Sequence, residues 1–165
     1  MVIERIEAKL PGAILDRHAF RGDATITVSG PRFLEVVDFI FAEGFQLLLD
    51  VTAVDLETPE FRFEVVYHWL NLVSQERLRI KVPVADGASQ PSLTGRFKSA
   101  DWAEREVYDL FGIPFEGHPN LTRLLMWEDF PGHPLRKDFP LDGGDVFCSQ
   151  DIGASFDPEA RSLNA

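Results

Sequence analysis

Cysteine is nearly absent: Cys148 is the only one in 165 residues. One thiol cannot close an internal disulfide or supply the four thiolates that usually hold an iron–sulfur cluster. Phosphate-cradling loops are missing too. No Gly-x-Gly-x-x-Gly and no Gly-Lys-Ser/Thr occurs, so neither a dinucleotide fold nor a P-loop has sequence support. Apolar runs stay well short of the ~20 residues needed to cross a bilayer. Glu4 and Glu7 interrupt the N-terminal stretch where a signal peptide would be apolar. Positive charge is scarce: 16 Lys and Arg against 27 Asp and Glu leave a formal charge of -11, the wrong sign for a nucleic-acid partner.

What is present suffices for one core. Hydrophobic residues make up 45% of the chain, with 14 phenylalanines. Ile3, Ile6 and Leu10 predict a first helix, ended by Pro11-Gly12. Two short strands flank Arg21-Gly22-Asp23. Ser29-Gly30-Pro31 opens a second helix, with Ser29 or Gly30 as cap and Phe33, Val36, Val37, Ile40 and Phe41 as its buried stripe. Gly44 ends it. The apolar run 45–51 predicts a central strand. Asp50 and Asp55 near its end are candidates for capping or loop hydrogen bonds. Phe61 to Trp69 and Leu78 to Val84 alternate with period two and predict an antiparallel pair with one apolar face. His68 belongs to the sheet surface on this reading.

Residues 86–100 read as a loop. Asp101, three residues before Glu104, has the spacing of a capping box. Ala103, Val107, Leu110 and Phe111 then face a core, Arg105 and Asp109 pair on the solvent side, and Gly112 closes the helix. Leu121, Leu124 and Leu125 suggest a further helical turn. The expected fold class is α/β (α+β), a two-layer domain with a mainly antiparallel or mixed sheet packed by helices, plus an irregular C-terminal arm. The expected organisation is a core over 1–113, a docking segment over 114–141 and an acidic extended tail over 142–165 that a partner would order.

The densest chemistry lies after residue 100. Two Gly-His-Pro copies carry His118 and His133, and the second runs into Leu135-Arg136-Lys137-Asp138-Phe139. His118 and His133 with Glu128, Asp129 or Asp138 invite a metal-site reading. No His-x-x-x-His or His-Glu-x-x-His spacing supports it. Glu104, Glu106 and Asp109 could divide acid and base roles, although neighbouring arginines favour salt-bridged fixing. Cys148 has no histidine near it in sequence, and no nucleophile elbow occurs. A docking reading accounts for more. Arg123, Arg136 and Lys137 supply directional cations, and Phe115, Trp127, Phe130 and Phe139 supply aromatic anchors.

These residues resemble the 30-kilodalton subunit family of respiratory complex I, the bacterial C subunit. The resemblance rests on Asp101-Trp102, Glu104-Arg105-Glu106-Val107-Tyr108-Asp109-Leu110-Phe111-Gly112-Ile113, and the path Gly117-His118-Pro119-Asn120-Leu121, Arg123-Leu124-Leu125-Met126, Glu128-Asp129 and Gly132 to Leu141. Phe63-Glu64-Val65-Val66-Tyr67-His68 joins it, so the matched core spans 45 to 141. Trp127 stands where the family usually has Pro, and Phe130 where Trp is common.

The resemblance implies a cofactor-free, non-catalytic subunit of the peripheral arm, on the cytoplasmic side of the inner membrane. It would dock on the large 49-kilodalton-type subunit of the quinone module, beside iron–sulfur subunits. The docking residues would be Glu104, Arg105, Glu106, Tyr108, Asp109, His118, Arg123, Trp127, His133, Arg136, Lys137, Asp138 and Phe139. NADH, FMN, iron–sulfur clusters and quinone would belong to the assembly. The competing reading is a small metal-dependent hydrolase using His118, His133 and Asp138.

Overall fold

The computed structural model describes residues 2–58 and 60–140. Pro59, Leu141 and the predicted 142–165 tail with Cys148 lie outside them. Helix α1 (Val2–Lys9) leads into strands β1 (Ile14–Phe20) and β2 (Asp23–Val28). A 3-10 turn at Gly30–Arg32 precedes α2 (Phe33–Ala42). Strands β3 (Leu47–Asp55), β4 (Phe63–Leu70) and β5 (Arg77–Val84) follow. Then come the short β6 (Gln90–Pro91), α3 (Ala100–Phe111) and the short β7 (Phe115–Glu116).

The main sheet has the order β1-β2-β5-β4-β3. All its pairings are antiparallel except β2 with β5. The expected two-layer α+β architecture is therefore present. Alternation explains the layering: Phe63, Val65, Tyr67 and Trp69 of β4 and Leu78, Ile80, Val82 and Val84 of β5 all point to one buried face. The helices cover that face. Phe33 of α2 meets the Tyr67 ring with centroids 4.6 Å apart, and Trp69 meets Phe97 at 4.8 Å. Such aromatic pairs add about 0.5–1.5 kcal/mol beyond the area they bury.

Several expectations from the sequence change. The 45–51 run forms not a central strand but part of β3, an edge strand that continues to Asp55. Its apolar character reflects cover from α3 and the 93–99 turn rather than a place inside the sheet; Ser99 donates through its hydroxyl to the Leu48 carbonyl at 2.8 Å. Ser29 makes no side-chain cap, and the 3-10 turn precedes α2 instead. No capping box opens α3. The helix begins at Ala100, Ser99 makes no capping bond, and Glu104 turns inward. The 86–100 stretch holds β6, which pairs in parallel with β7 through Gln90 and Phe115. Leu121, Leu124 and Leu125 form no helix, because their neighbourhood is organised by a side chain of α3.

One polar group of the core stands out. The Tyr67 hydroxyl is buried, with no hydrogen-bond partner among the described residues. Removing an unsatisfied buried hydroxyl relieves a desolvation cost of about 1–3 kcal/mol while keeping the ring. Tyr67→Phe is expected to melt at or above the wild-type temperature, as a calorimetric scan would show. A fall of several degrees would mean that the hydroxyl does have a partner.

Candidate docking site

Two carboxylates of α3, Glu104 and Asp109, have no exposed surface at all. Glu104 accepts from the Leu93 amide at 2.7 Å and the Ser92 hydroxyl at 2.6 Å. Among the described residues it has no cation within ion-pair distance. Burial pushes its carboxyl up from the ordinary value, only partly offset by Ser92 and Leu93.

Asp109 shows the opposite balance. Arg123 Nη1 reaches Oδ1 at 2.8 Å, and the amides of Leu124, Leu125 and Met126 converge on Oδ2 at 3.0, 2.7 and 2.8 Å. Burial again opposes ionisation. The Met126 amide, Arg123 and the two other amides outweigh it and hold the carboxyl below the usual range. The expected solvent-side pairing of Arg105 with Asp109 is thereby overturned. Asp109 is taken from inside by the next segment. Arg105 instead donates to the carbonyls of Thr122 and Arg123 at 3.1 and 3.0 Å.

The same segment caps the C-terminal end of α3. A helix leaves its last carbonyls without intrahelical partners. Here Gly112, in a left-handed conformation (φ 77°), returns its amide to Tyr108 O. His133 Nδ1–H donates to Asp109 O at 2.8 Å, the Leu135 amide to Leu110 O at 3.0 Å, and Arg136 Nη1 to Phe111 O at 3.4 Å. Basic side chains also suit the negative end of a helix dipole. Each hydrogen bond contributes about 1 kcal/mol net.

His118 plays a matching part near the start of α3. Its Nε2 lies 3.1 Å from Asp101 O, and its Nδ1 accepts from the Asn120 amide at 3.1 Å. The two histidines thus use opposite ring nitrogens as donors, each toward a carbonyl of α3.

Arg123 also donates to the carbonyls of Phe130 and Gly132 at 2.8 and 3.1 Å, curling the segment around its guanidinium. Farther on, Arg62 bridges Asp138 at 2.7 Å, Asp55 at 3.1 Å and Asp86 at 3.1 Å. Arg136 shares Asp86 and Asp138, and the Lys137 amide donates to Asp55 at 2.9 Å. Both guanidiniums sit 5.2 Å from the Phe63 ring centre. Arg62, followed by Arg136, lowers the Asp138 carboxyl to about 2 against the opposing effect of burial. No sequence pattern links Arg62, Asp86 or Asp55 to this segment. Nothing local signals a contact across 50 residues, such as that of Arg136 with Asp86.

The residues singled out by sequence therefore divide. Asp109, Arg123, His118, His133, Arg136 and Arg105 turn to this chain's own groups. Asp138 does so while staying half exposed, and Glu104 is buried under the 92–94 turn. Among the aromatic candidates, Phe115 and Phe130 are buried, and Phe139 is partly buried, stacked on Phe130 at 5.6 Å. Trp127 is 50% exposed, with its ring edge-on to Phe130 at 4.7 Å. Glu106 and Lys137 are exposed, and Tyr108 is half-buried. Leu125, Leu135 and Trp102, not proposed as contacts from sequence, are exposed apolar residues of this region. The amphipathic pattern of α3 could have flagged Trp102, a large apolar residue off the buried stripe.

His118 and His133 are committed to opposite ends of α3 and Asp138 to Arg62 and Arg136, so the triad required by the hydrolase reading does not form. Among the described residues no group of three or more His, Cys, Asp or Glu gathers where a metal ion could sit. No helix among them is long and apolar enough to cross a membrane.

Asp109→Asn leaves one amide group facing both an arginine and three N–H donors, and is expected to cost about 3 kcal/mol in denaturant unfolding. The folded carboxyls of Asp109 and Asp138 lie below their unfolded values. Their stabilisation is therefore complete above about pH 4 and fades as pH falls through the folded values. Glu104 acts in the opposite sense and partly offsets the slope. Wild-type melting temperature should fall steeply below about pH 4, and Asp109→Asn should flatten that fall. Gly112→Ala would force a left-handed alanine and bring its Cβ to 2.6 Å from His133 Cδ2. A loss of about 3 kcal/mol is expected, measured by urea titration.

The family described as respiratory-chain NADH dehydrogenase, 30 Kd subunit, matches residues 26–145. The C subunit of the NADH-quinone oxidoreductase of Citrifermentans bemidjiense is 43% identical over 145 residues, covering 87% of this chain and 90% of that one. The same subunit from Roseiflexus sp. is 45% identical over 149 residues, covering 88% and 86%. Among solved structures, the trypsin-resistant fragment of Nqo5 superposes with a TM-score of 0.65 at 35% identity, over 73% of this chain and all of the fragment. A chain of the membrane-bound sulfane sulfur reductase, an archaeal respiratory membrane complex, gives 0.74 at 27% identity, over 94% and 93%. With the matched region spanning most of the sheet, α3 and the segment that brackets it, the chain belongs to the 30 Kd subunit family of respiratory-chain NADH dehydrogenase, the C subunits of NADH-quinone oxidoreductase.

Proposed function

We propose that this chain is a cofactor-free structural subunit of the peripheral arm of a proton-translocating NADH:quinone oxidoreductase. It docks on the 49-kilodalton-type subunit through the outer surface of the 114–140 segment, beside the iron–sulfur subunits, on the cytoplasmic side of the membrane. The NADH, FMN, iron–sulfur and quinone chemistry belongs to its neighbours. Its own contribution is a rigid surface that holds the quinone-site subunit in place while electrons pass to quinone.

One observation carries the reading. The polar groups of the segment are largely spent inward, on Asp109, on the α3 carbonyls and on the Arg62 cluster, while Leu125, Trp127 and Leu135 remain exposed, with Trp102 on α3. A segment fixed so firmly binds without a large ordering cost. An exposed Trp on a rigid frame is a residue type that dominates such interfaces, and the exposed leucines extend the apolar patch around it. The names of the relatives agree with the assembly, and the absence of a gathered triad at His118, His133 and Asp138 removes the motive for the hydrolase.

Co-expression of the full chain with the 49-kilodalton-type subunit tests the proposal. A stable pair is expected at micromolar concentration. Trp127→Ala with Leu125→Ala is expected to weaken it at least tenfold, by about 1.4 kcal/mol or more, while melting falls by only about a few degrees from the lost Trp127–Phe130 contact. Full-affinity binding by the double variant would remove the segment from the interface. No binding by the wild-type chain would sink the docking proposal itself.

A further inference from the structure

We infer that the face of the five-stranded sheet that no described helix covers is a second interface, and that it receives an acidic surface of a neighbouring protein subunit. The inference rests on the reading that the chain works within an assembly, but it concerns a different surface and different residues.

The helices α1, α2 and α3 all pack on the apolar face. The opposite face is lined by alternate residues of each strand, and its register is defined. His18, Thr25, Arg79, His68 and Asp50 form one row across all five strands. Asp16, Thr27, Lys81, Val66 and Thr52 form the next. On β5, the middle strand, Arg77, Arg79 and Lys81 repeat every second residue, about 7 Å apart, and so make a cationic ladder down the centre of the face.

These cations differ from those of the 114–140 segment and its neighbours. Arg123, Arg136 and Arg62 are consumed by this chain's own carboxylates. On the ladder, Lys81 has Glu64 at 2.7 Å. Among the described residues, Arg79 donates to the neutral Thr25 hydroxyl alone, at 3.5 Å. Among the described residues, neither Arg77 nor Arg79 has a carboxylate within ion-pair distance. Asp23 stands one residue before the Ala24–Leu78 pair, beside Arg77, without closing on it. The remaining acids of the face, Asp16 and Asp50, lie on the two edge strands.

Lys9, Arg21, Lys98 and Arg105 likewise have no carboxylate within ion-pair distance among the described residues, but Arg77 and Arg79 are two such cations on one strand, side by side on a sheet face that no described helix covers, in a chain of net charge -11. An arginine partly buried on such a surface presents a planar fork suited to a carboxylate. Phe20, 66% exposed on the same face, adds an aromatic anchor at its margin. Charge complementarity sets the occupant as an acidic protein surface. Polyanions such as DNA or an anionic membrane would meet the repulsion of the whole chain at long range, whereas a protein's carboxylates act locally within a Debye length of about 8–10 Å.

The test uses the full chain, tagged and expressed in its host in place of the native copy. Wild type, Arg77→Glu with Arg79→Glu, and Arg77→Lys with Arg79→Lys are each recovered with the detergent-solubilised assembly at low and high salt. Carbodiimide then joins lysines to touching carboxylates. The acidic double variant is expected to be recovered roughly tenfold less, and the lysine pair to restore recovery in a salt-sensitive way. A cross-link from Lys81, or from the lysine variant at 79, to an Asp or Glu of another subunit is expected. Equal recovery of all three forms, with cross-links only to carboxylates of the same chain, would overturn the inference. So would binding of the isolated chain to phosphatidylglycerol vesicles or a DNA duplex that the acidic variant abolishes. If the acidic variant does not fold, the cross-links of the lysine variant decide by the same criterion. Failure of the wild-type chain to enter the assembly would instead defeat the proposed function.

Discussion

The carboxylate of Asp109 is the constraint on which the rest of the C-terminal half depends. It is fully buried, its ionised form is favoured, and four donors from residues 123–126 converge on it. A buried charge is tolerated only when it is paired and hydrogen-bonded, so the chain after α3 must return to that point. Once Arg123 is placed there, its second nitrogen collects the carbonyls of Phe130 and Gly132. That curvature brings His133, Leu135 and Arg136 to the open carbonyls of the same helix. A segment without helix or long strand thus acquires one defined path, because its backbone groups are satisfied by side chains and by α3 rather than by a ladder of their own.

Glu104 and Asp109 show how position sets the meaning of a residue type. Both are carboxylates of one helix and both are buried. One has two uncharged donors and is pushed up by burial; the other has an arginine and three amides and is held down. Two of the three carboxylates that the sequence offers as acid and base, Glu104 and Asp109, are thus structural members with different environments. The two Gly-His-Pro copies likewise resolve into hydrogen-bonding brackets, His118 near the start of α3 and His133 at its end. Gly112 leaves the space in which the His133 ring lies.

Much of the fold was legible in the residues. Alternation in 63–70 and 77–84, the stripe of α2, the turn at Arg21-Gly22 and the stop at Gly112 all follow from periods and from backbone preferences that act over a few residues. The departures from local pattern share a common feature. The edge position of β3, the inward turn of Glu104 and the loss of the Arg105–Asp109 pair each depend on contacts from distant segments. An apolar run looks the same whether another strand or a loop covers it, and an i, i+4 charge pair looks the same whether its acid faces water or a returning arginine.

The family, the α+β class and the concentration of chemistry after residue 100 could all be read from the chain before it folded, because they rest on residue identity and local spacing. Which charges are available could not. Packing closed Arg62, Arg123 and Arg136 onto carboxylates of the same chain and left Arg77 and Arg79 on a sheet face that no described helix covers. It also left Leu125, Trp127 and Leu135 exposed on a fixed segment. The physical reason is that a charge is spent by whatever comes within about 4 Å of it, and across tens of residues that proximity is set by the packing of the whole fold.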